Sequence, residues 1–171
     1  MPYVGALAAD KQGIITEGKP YRVLFVCTGN TCRSPMAAAL FHDFMLRTRG
    51  EGAACAASAG LYAQTGAPIT PQAVEALEAA GIAATPQNDY RAHRARLVDE
   101  QMVEEADVVV AISAAHAMEL LMRYPSQAEK ITTLPFDIPD PFGGDRALYE
   151  ACLDKLYYAI CLKWSVGEDE A

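Results

Sequence analysis

Val23-Leu24-Phe25-Val26-Cys27-Thr28-Gly29-Asn30-Thr31-Cys32-Arg33-Ser34-Pro35 decides the fold of this chain. An apolar run over Tyr21 to Val26 predicts a short buried strand. Pro35 suits the first turn of a helix, with Ser34 as its N-cap. Met36, Leu40, Phe41, Phe44 and Met45 then recur at helical spacing, and Gly50 ends the run. The same alternation continues outward. Ala53 to Ala59 predicts a second strand, closed by Gly60. Thr70-Pro71 opens a second helix as N-cap and first residue, with Val74, Leu77 and Ala80 as its apolar stripe and Gly81 as its stop. Leu97 to Ala106 reads as a shorter acidic helix, Asp107 to Ile112 as the clearest strand, and Ala114 to Tyr124 as a helix. Ile131 to Leu134 is a last strand, Pro135 to Arg146 a Pro/Gly/Asp-rich loop, and Ala147 to about Val166 a terminal helix. Strands alternating with helices indicate an α/β fold: one domain, with a four-stranded parallel sheet covered by helices on both faces. We place the domain at residues 21–166, after an N-terminal tail of residues 1–20 and before a C-terminal tail of residues 167–171.

Size and composition agree. A chain of 171 residues with 51% apolar residues suits one globular domain. A formal net charge of −8 argues against nucleic acid and anionic membranes as partners. No stretch approaches the ~18 consecutive apolar residues of a membrane span. Met1 to Pro20 lacks the basic and apolar regions of a signal peptide. Five cysteines without framework spacing make a reducing cytoplasm the expected compartment.

The loop from Cys27 to Ser34 carries the chemistry. Five cysteines and nine arginines give roughly 0.3 chance Cys-x5-Arg pairs, so the bare spacing says little. Its setting says more: a strand before it, a helix after it, and Gly29 and Asn30 within it. Five intervening residues can wrap one tetrahedral anion with inward-facing N–H groups at a helix N-terminus. Gly29 and Asn30 tolerate the positive φ angles such wrapping tends to need. Arg33 offers a planar fork for two oxygens of a phosphoryl group. The helix dipole, Arg33 and the loop N–H groups favour Cys27 as thiolate. Ser34 can donate a hydrogen bond to that sulfur. Thiolate, cradled phosphate and arginine are the parts of a cysteine-dependent phosphatase. A Walker-type loop is excluded, because no Gly-Lys-Ser/Thr follows the glycine.

With these residues in view, residues 21 to 165 resemble the low-molecular-weight protein tyrosine phosphatase family. Val26 to Ala37 matches the family's phosphate loop, Ser58-Ala59-Gly60 its second-strand exit, and His93-Arg94-Ala95-Arg96 its His-x-Ala/Ser-Arg segment. Ala106 to Ala111 matches its Ala-Asp-apolar strand, and Asp140-Pro141-Phe142-Gly143-Gly144 its Asp-Pro-aromatic loop. The resemblance implies a three-layer Rossmann-like fold and catalysis through a phosphocysteine, without metal or cofactor, on phosphorylated proteins; we expect a monomer. It implies that Cys27 is the nucleophile, that Arg33 binds phosphate with Thr28, Gly29, Asn30, Thr31, Cys32 and Ser34, and that Asp140 protonates the leaving group. Asp137 and Asp145 are rivals that composition alone leaves open. Ser58 and His93, with Asn30 and Ser34, are expected to hold the loop in shape. His42 and His116 fall on helical runs without an evident partner and read as structural. Ala38 stands where many relatives have Glu.

Two details set this chain apart from the tyrosine-specific branch. Thr31 occupies a position commonly aliphatic there, and the acid loop reads Asp-Pro-Phe-Gly-Gly rather than Asp-Pro-Tyr. Both resemble the bacterial protein-arginine phosphatase branch. The Thr31 hydroxyl can accept a hydrogen bond from a guanidinium, and an isoleucine cannot. Phe142 and Tyr62 are candidate walls of the substrate pocket. Three readings compete with this one: a phosphotyrosine phosphatase, a thioredoxin-coupled arsenate reductase, and an inactive phosphoanion-binding module. The reductase needs extra cysteines in a mid-chain redox segment, and Gly60 to Ala151 contains none. Cys152 and Cys161 are expected to pack in the core. Together Cys27, Arg33 and Asp140 argue against an inactive module. Cys32 beside Cys27 suggests a reversible protective disulfide.

Overall fold

The computed structural model describes residues 19–165. The expected tails, apart from residues 19 and 20, and the expected helix end at Val166 lie outside the described residues. β1 spans Tyr21–Cys27, β2 Ala54–Gly60, β3 Val108–Ala111 and β4 Ile131–Thr133. They form one parallel sheet in the order β2-β1-β3-β4. Helices α1 (Arg33–Arg49), α2 (Pro71–Ala79), α3 (Glu100–Glu105), α4 (Ala114–Arg123) and α5 (Arg146–Trp164) connect and follow the strands.

The pleat of β1 sorts the core. Val23, Phe25 and Cys27 face one side, where α1, α2 and α5 pack; Leu24 and Val26 face the other, with Val103, Ala117 and Leu120. Both faces of β1 are covered, so the strand reads as a continuous apolar run. α1 packs against both the sheet and α5. Phe41 has its ring 5.7 Å from Phe25 and 4.6 Å from Trp164, edge-on to both. Register places Cys27 opposite Gly60 and Val26 opposite Ala111, so the strands end together at one edge. The chain leaves β1 toward β2 on one side and returns to β3 on the other. That reversal leaves a crevice at the carboxyl ends of β1 and β3, the usual place for a ligand.

Most predicted elements are present. Thr70 caps α2, accepting from Ala73 N, with Pro71 as first residue; Gly81 follows at φ +79°. Two expectations change. The acidic helix is confined to Glu100–Glu105, capped by Asp99. The residues before it are instead extended along the end of β2: Gly60 N donates to Arg96 O (2.9 Å) and Val98 N to Gly60 O (3.0 Å). Unpaired backbone beside a strand end is better satisfied by this pairing than by a longer helix. Ser34 is not an N-cap. α1 starts at Arg33 after Cys32, with no side-chain cap, and Ser34 turns its hydroxyl to Cys27.

Candidate active site

Cys27 ends β1, and the following residues curl over its sulfur into α1. Asn30 is the only non-glycine at positive φ (58°) among the described residues. Gly29 does not share that conformation, which corrects the expectation for it. Asn30 holds the turn because its side chain is fully used. Nδ2 donates to Ser34 Oγ (2.8 Å) and Ser58 Oγ (3.0 Å), and Oδ1 accepts from Arg96 N (3.0 Å). Its carbonyl accepts from His93 Nε2 (2.8 Å), which fixes the imidazole proton on that nitrogen. Burial holds the His93 pKa below its ordinary value, so the ring is neutral.

Two donors converge on the Cys27 sulfur. Asn30 N–H lies 3.3 Å away and Ser34 Oγ 2.9 Å away. Because Ser34 accepts from Asn30, its own proton is free to point at sulfur. Cys32 Sγ lies 3.2 Å from the Tyr149 hydroxyl, whose pKa burial raises to about 12. Gly60 presses against the loop: a Cβ there would sit 2.5 Å from Thr28 O. Tyr62 N donates to that same oxygen (3.0 Å).

Arg33 is buried and donates from Nη1 to Ile138 O (3.0 Å). Its Nη2 lies 3.6 Å from Asp140 Oδ2, and Asp140 is half exposed. A phosphoryl group gripped by Arg33 is therefore within reach of the Asp140 carboxyl. The rivals are engaged otherwise. Asp137 accepts from Ala114 N at the start of α4 (2.9 Å), and Asp145 caps α5. Thr31 is half-buried, with its carbonyl held by Thr70 N (3.0 Å). Tyr62 and Phe142 are both exposed, the first bonded through its hydroxyl to Glu119, the second beside Asp140. Cys152 is buried, and its thiol is pushed up to about 12 by burial.

One residue escaped the sequence reading. His116 is buried and not without partners: Nε2 lies 2.8 Å from Thr28 Oγ1, and Nδ1 2.8 Å from Ser113 Oγ. The signal was its place. It stands on the first turn after β3, at the edge where open α/β sheets hold their ligands.

A strand-ending cysteine, an arginine six residues on and a carboxylate beside that arginine define a cysteine-dependent phosphoryl-transfer enzyme. The chain belongs to the low molecular weight phosphotyrosine protein phosphatase family, whose sequence model matches residues 22–165. It is a phosphoprotein phosphatase, a hydrolase. A protein-arginine-phosphatase of Geobacillus stearothermophilus is 38% identical over 144 residues, covering 80% of this chain and 89% of the relative. A probable low molecular weight protein-tyrosine-phosphatase, EpsP, of Ralstonia nicotianae is 34% identical over 142 residues, covering 81% and 90%. The solved structure of the Geobacillus stearothermophilus arginine phosphatase YwlE superposes with a TM-score of 0.71 at 37% identity, covering 82% of this chain and 88% of that one. A further solved YwlE structure, 35% identical with a TM-score of 0.72 and covering 81% and 90%, is a cysteine-to-serine mutant whose active-site serine is phosphorylated.

Proposed function

We propose that this protein removes the phosphoryl group from phosphoarginine in proteins, with Cys27, Arg33 and Asp140 carrying the reaction. In the first step the Cys27 thiolate attacks phosphorus and the P–N bond breaks. The departing guanidine nitrogen takes its proton from the Asp140 carboxyl. Arg33 and the loop N–H groups hold the phosphoryl oxygens as charge redistributes. In the second step water attacks the phosphocysteine, Asp140 takes its proton, and the S–P bond breaks. The hydrogen bonds from Ser34 and Asn30 ease the departure of sulfur as thiolate. Inorganic phosphate leaves. The phosphorylated serine of the solved relative supports a covalent intermediate at the position of Cys27.

The observation that carries the choice of substrate is Thr31. Its hydroxyl lies within the phosphate loop, where a planar guanidinium with several N–H donors needs an acceptor. Leaving such a donor unpaired in a buried site costs about 1–3 kcal/mol, roughly 5- to 150-fold in preference. The Geobacillus stearothermophilus relative named a protein-arginine-phosphatase supports the same reading. The test compares phosphoarginine and phosphotyrosine peptides with wild type and Thr31→Ile. Wild type is expected to favour phosphoarginine, and the substitution to erode that preference about tenfold or more. A wild-type preference for phosphotyrosine would move the protein to the tyrosine branch.

A further inference from the structure

The two-step reaction leaves His116 unused, although it is buried at the carboxyl edge of the sheet. Its imidazole spans two hydroxyls. Nε2 meets Thr28 Oγ1 at 2.8 Å, and Nδ1 meets Ser113 Oγ at 2.8 Å. Thr28 follows the nucleophile directly, and its carbonyl is already held by Tyr62 N on the β2 side. On the far side of the imidazole, Ser113 is the N-cap of α4, and the next residue, Ala114, donates its N–H to Asp137 (2.9 Å). Asp137 stands three residues before Asp140 in the loop after β4. A continuous line of bonds thus runs from the nucleophile loop, through the first turn of α4, to the acid loop.

We propose that His116 is a positioning residue that holds the nucleophile loop and the acid loop in register across the crevice between β1 and β3. This rests on the phosphatase reading. Proton transfer to the leaving group demands that the Asp140 carboxyl lie within hydrogen-bond length of the departing nitrogen while phosphorus sits over the Cys27 sulfur, and misplacement by 1 Å can cost about 100-fold. A neutral imidazole suits the task. One nitrogen donates, the other accepts, and either hydroxyl can answer in either tautomer. The environment keeps it neutral. Burial, and next the Arg33 guanidinium, hold its pKa below the usual range against the opposing carboxylates of Glu119, Asp137 and Asp140.

The test uses the full chain, two side-chain mimics and two substrates. His116→Gln can still reach Thr28, whereas His116→Asn keeps the Ser113 contact and loses Thr28. Thr28→Val removes the hydroxyl from the other end. Loss of register should lower kcat/KM about tenfold or more on a phosphopeptide, whose leaving group needs the Asp140 proton. On p-nitrophenyl phosphate, whose leaving group scarcely needs it, the loss should be only a few-fold. We expect this split for H116N and T28V, no further loss in the H116N/T28V double variant, and recovery to within about threefold of wild type in H116Q. Multiplying losses in the double variant, equal losses on both substrates, or unaltered kinetics in H116N would overturn the proposal. If H116N shows no cooperative thermal transition, the substrate split in T28V decides in its place, and equal losses there overturn the proposal. A wild type inactive on every phosphorylated substrate would instead overturn the phosphatase reading, and this inference with it.

Discussion

Asn30 is a residue whose conformation, contacts and consequence can be traced together. Its φ of 58° turns the loop, both amide hydrogens and the amide oxygen are bonded, and its backbone N–H reaches the Cys27 sulfur. Asp140 is the opposite case, a half-exposed carboxylate whose value lies in where it stands, 3.6 Å from Arg33. Asp140→Asn should keep inorganic phosphate affinity and lower kcat by about 10²–10⁴-fold, the range for loss of a general acid. Steady-state kinetics on a phosphopeptide checks this, and near-normal turnover would return the role to another group. Cys32 offers a redox prediction. Peroxide should convert Cys27 and Cys32 into a disulfide that thiol reductants reverse with full recovery of activity. Thiol mapping that finds Cys27 as sulfinic acid, with Cys32 still reduced, would sink it.

At the scale of elements, legibility followed locality. β1, α1 and α2 were readable because strand pattern, Pro71, Thr70 and the Gly50 and Gly81 stops are local signals. The Cys27 loop was readable for the same reason: its parts lie within eight consecutive residues. Two of the misses depended on partners far along the chain. The segment before α3 is extended because Gly60 offers it a backbone edge, and His116 has partners at the site because Thr28 is folded against it. Ser34 carries every mark of a cap, yet its hydroxyl is bonded to a sulfur seven residues back. The packing of α1 yields a stability prediction. Phe41 is fully buried between Phe25 and Trp164. Phe41→Ala should cost about 3–5 kcal/mol, read as a lower urea midpoint at unchanged slope. A shift under about 1 kcal/mol would show that α5 collapses onto the gap.

For the whole molecule, the three histidines act in one direction. Burial is the first cause that lowers the pKa of His42, His93 and His116 below 6.5. The unfolded chain therefore binds more protons than the folded one as pH falls below 6.5, and stability rises with pH in that window. The contribution should be complete above about pH 7 and decline steadily on acidification from there. Thermal transitions between about pH 5 and 8 measure it, and a flat profile would contradict the burial of these rings. The sheet order β2-β1-β3-β4 has another consequence, in the timing of synthesis. Cys27 and the Gly60 flank of its loop leave the ribosome early, long before Asp140. On the proposed mechanism, a growing chain can carry the thiol but has no acid to complete turnover. With Asp140 in that role, catalysis would begin only when the last third of the polypeptide has folded back beside the first strand, and the nascent protein would not act on phosphorylated neighbours while it is still being made.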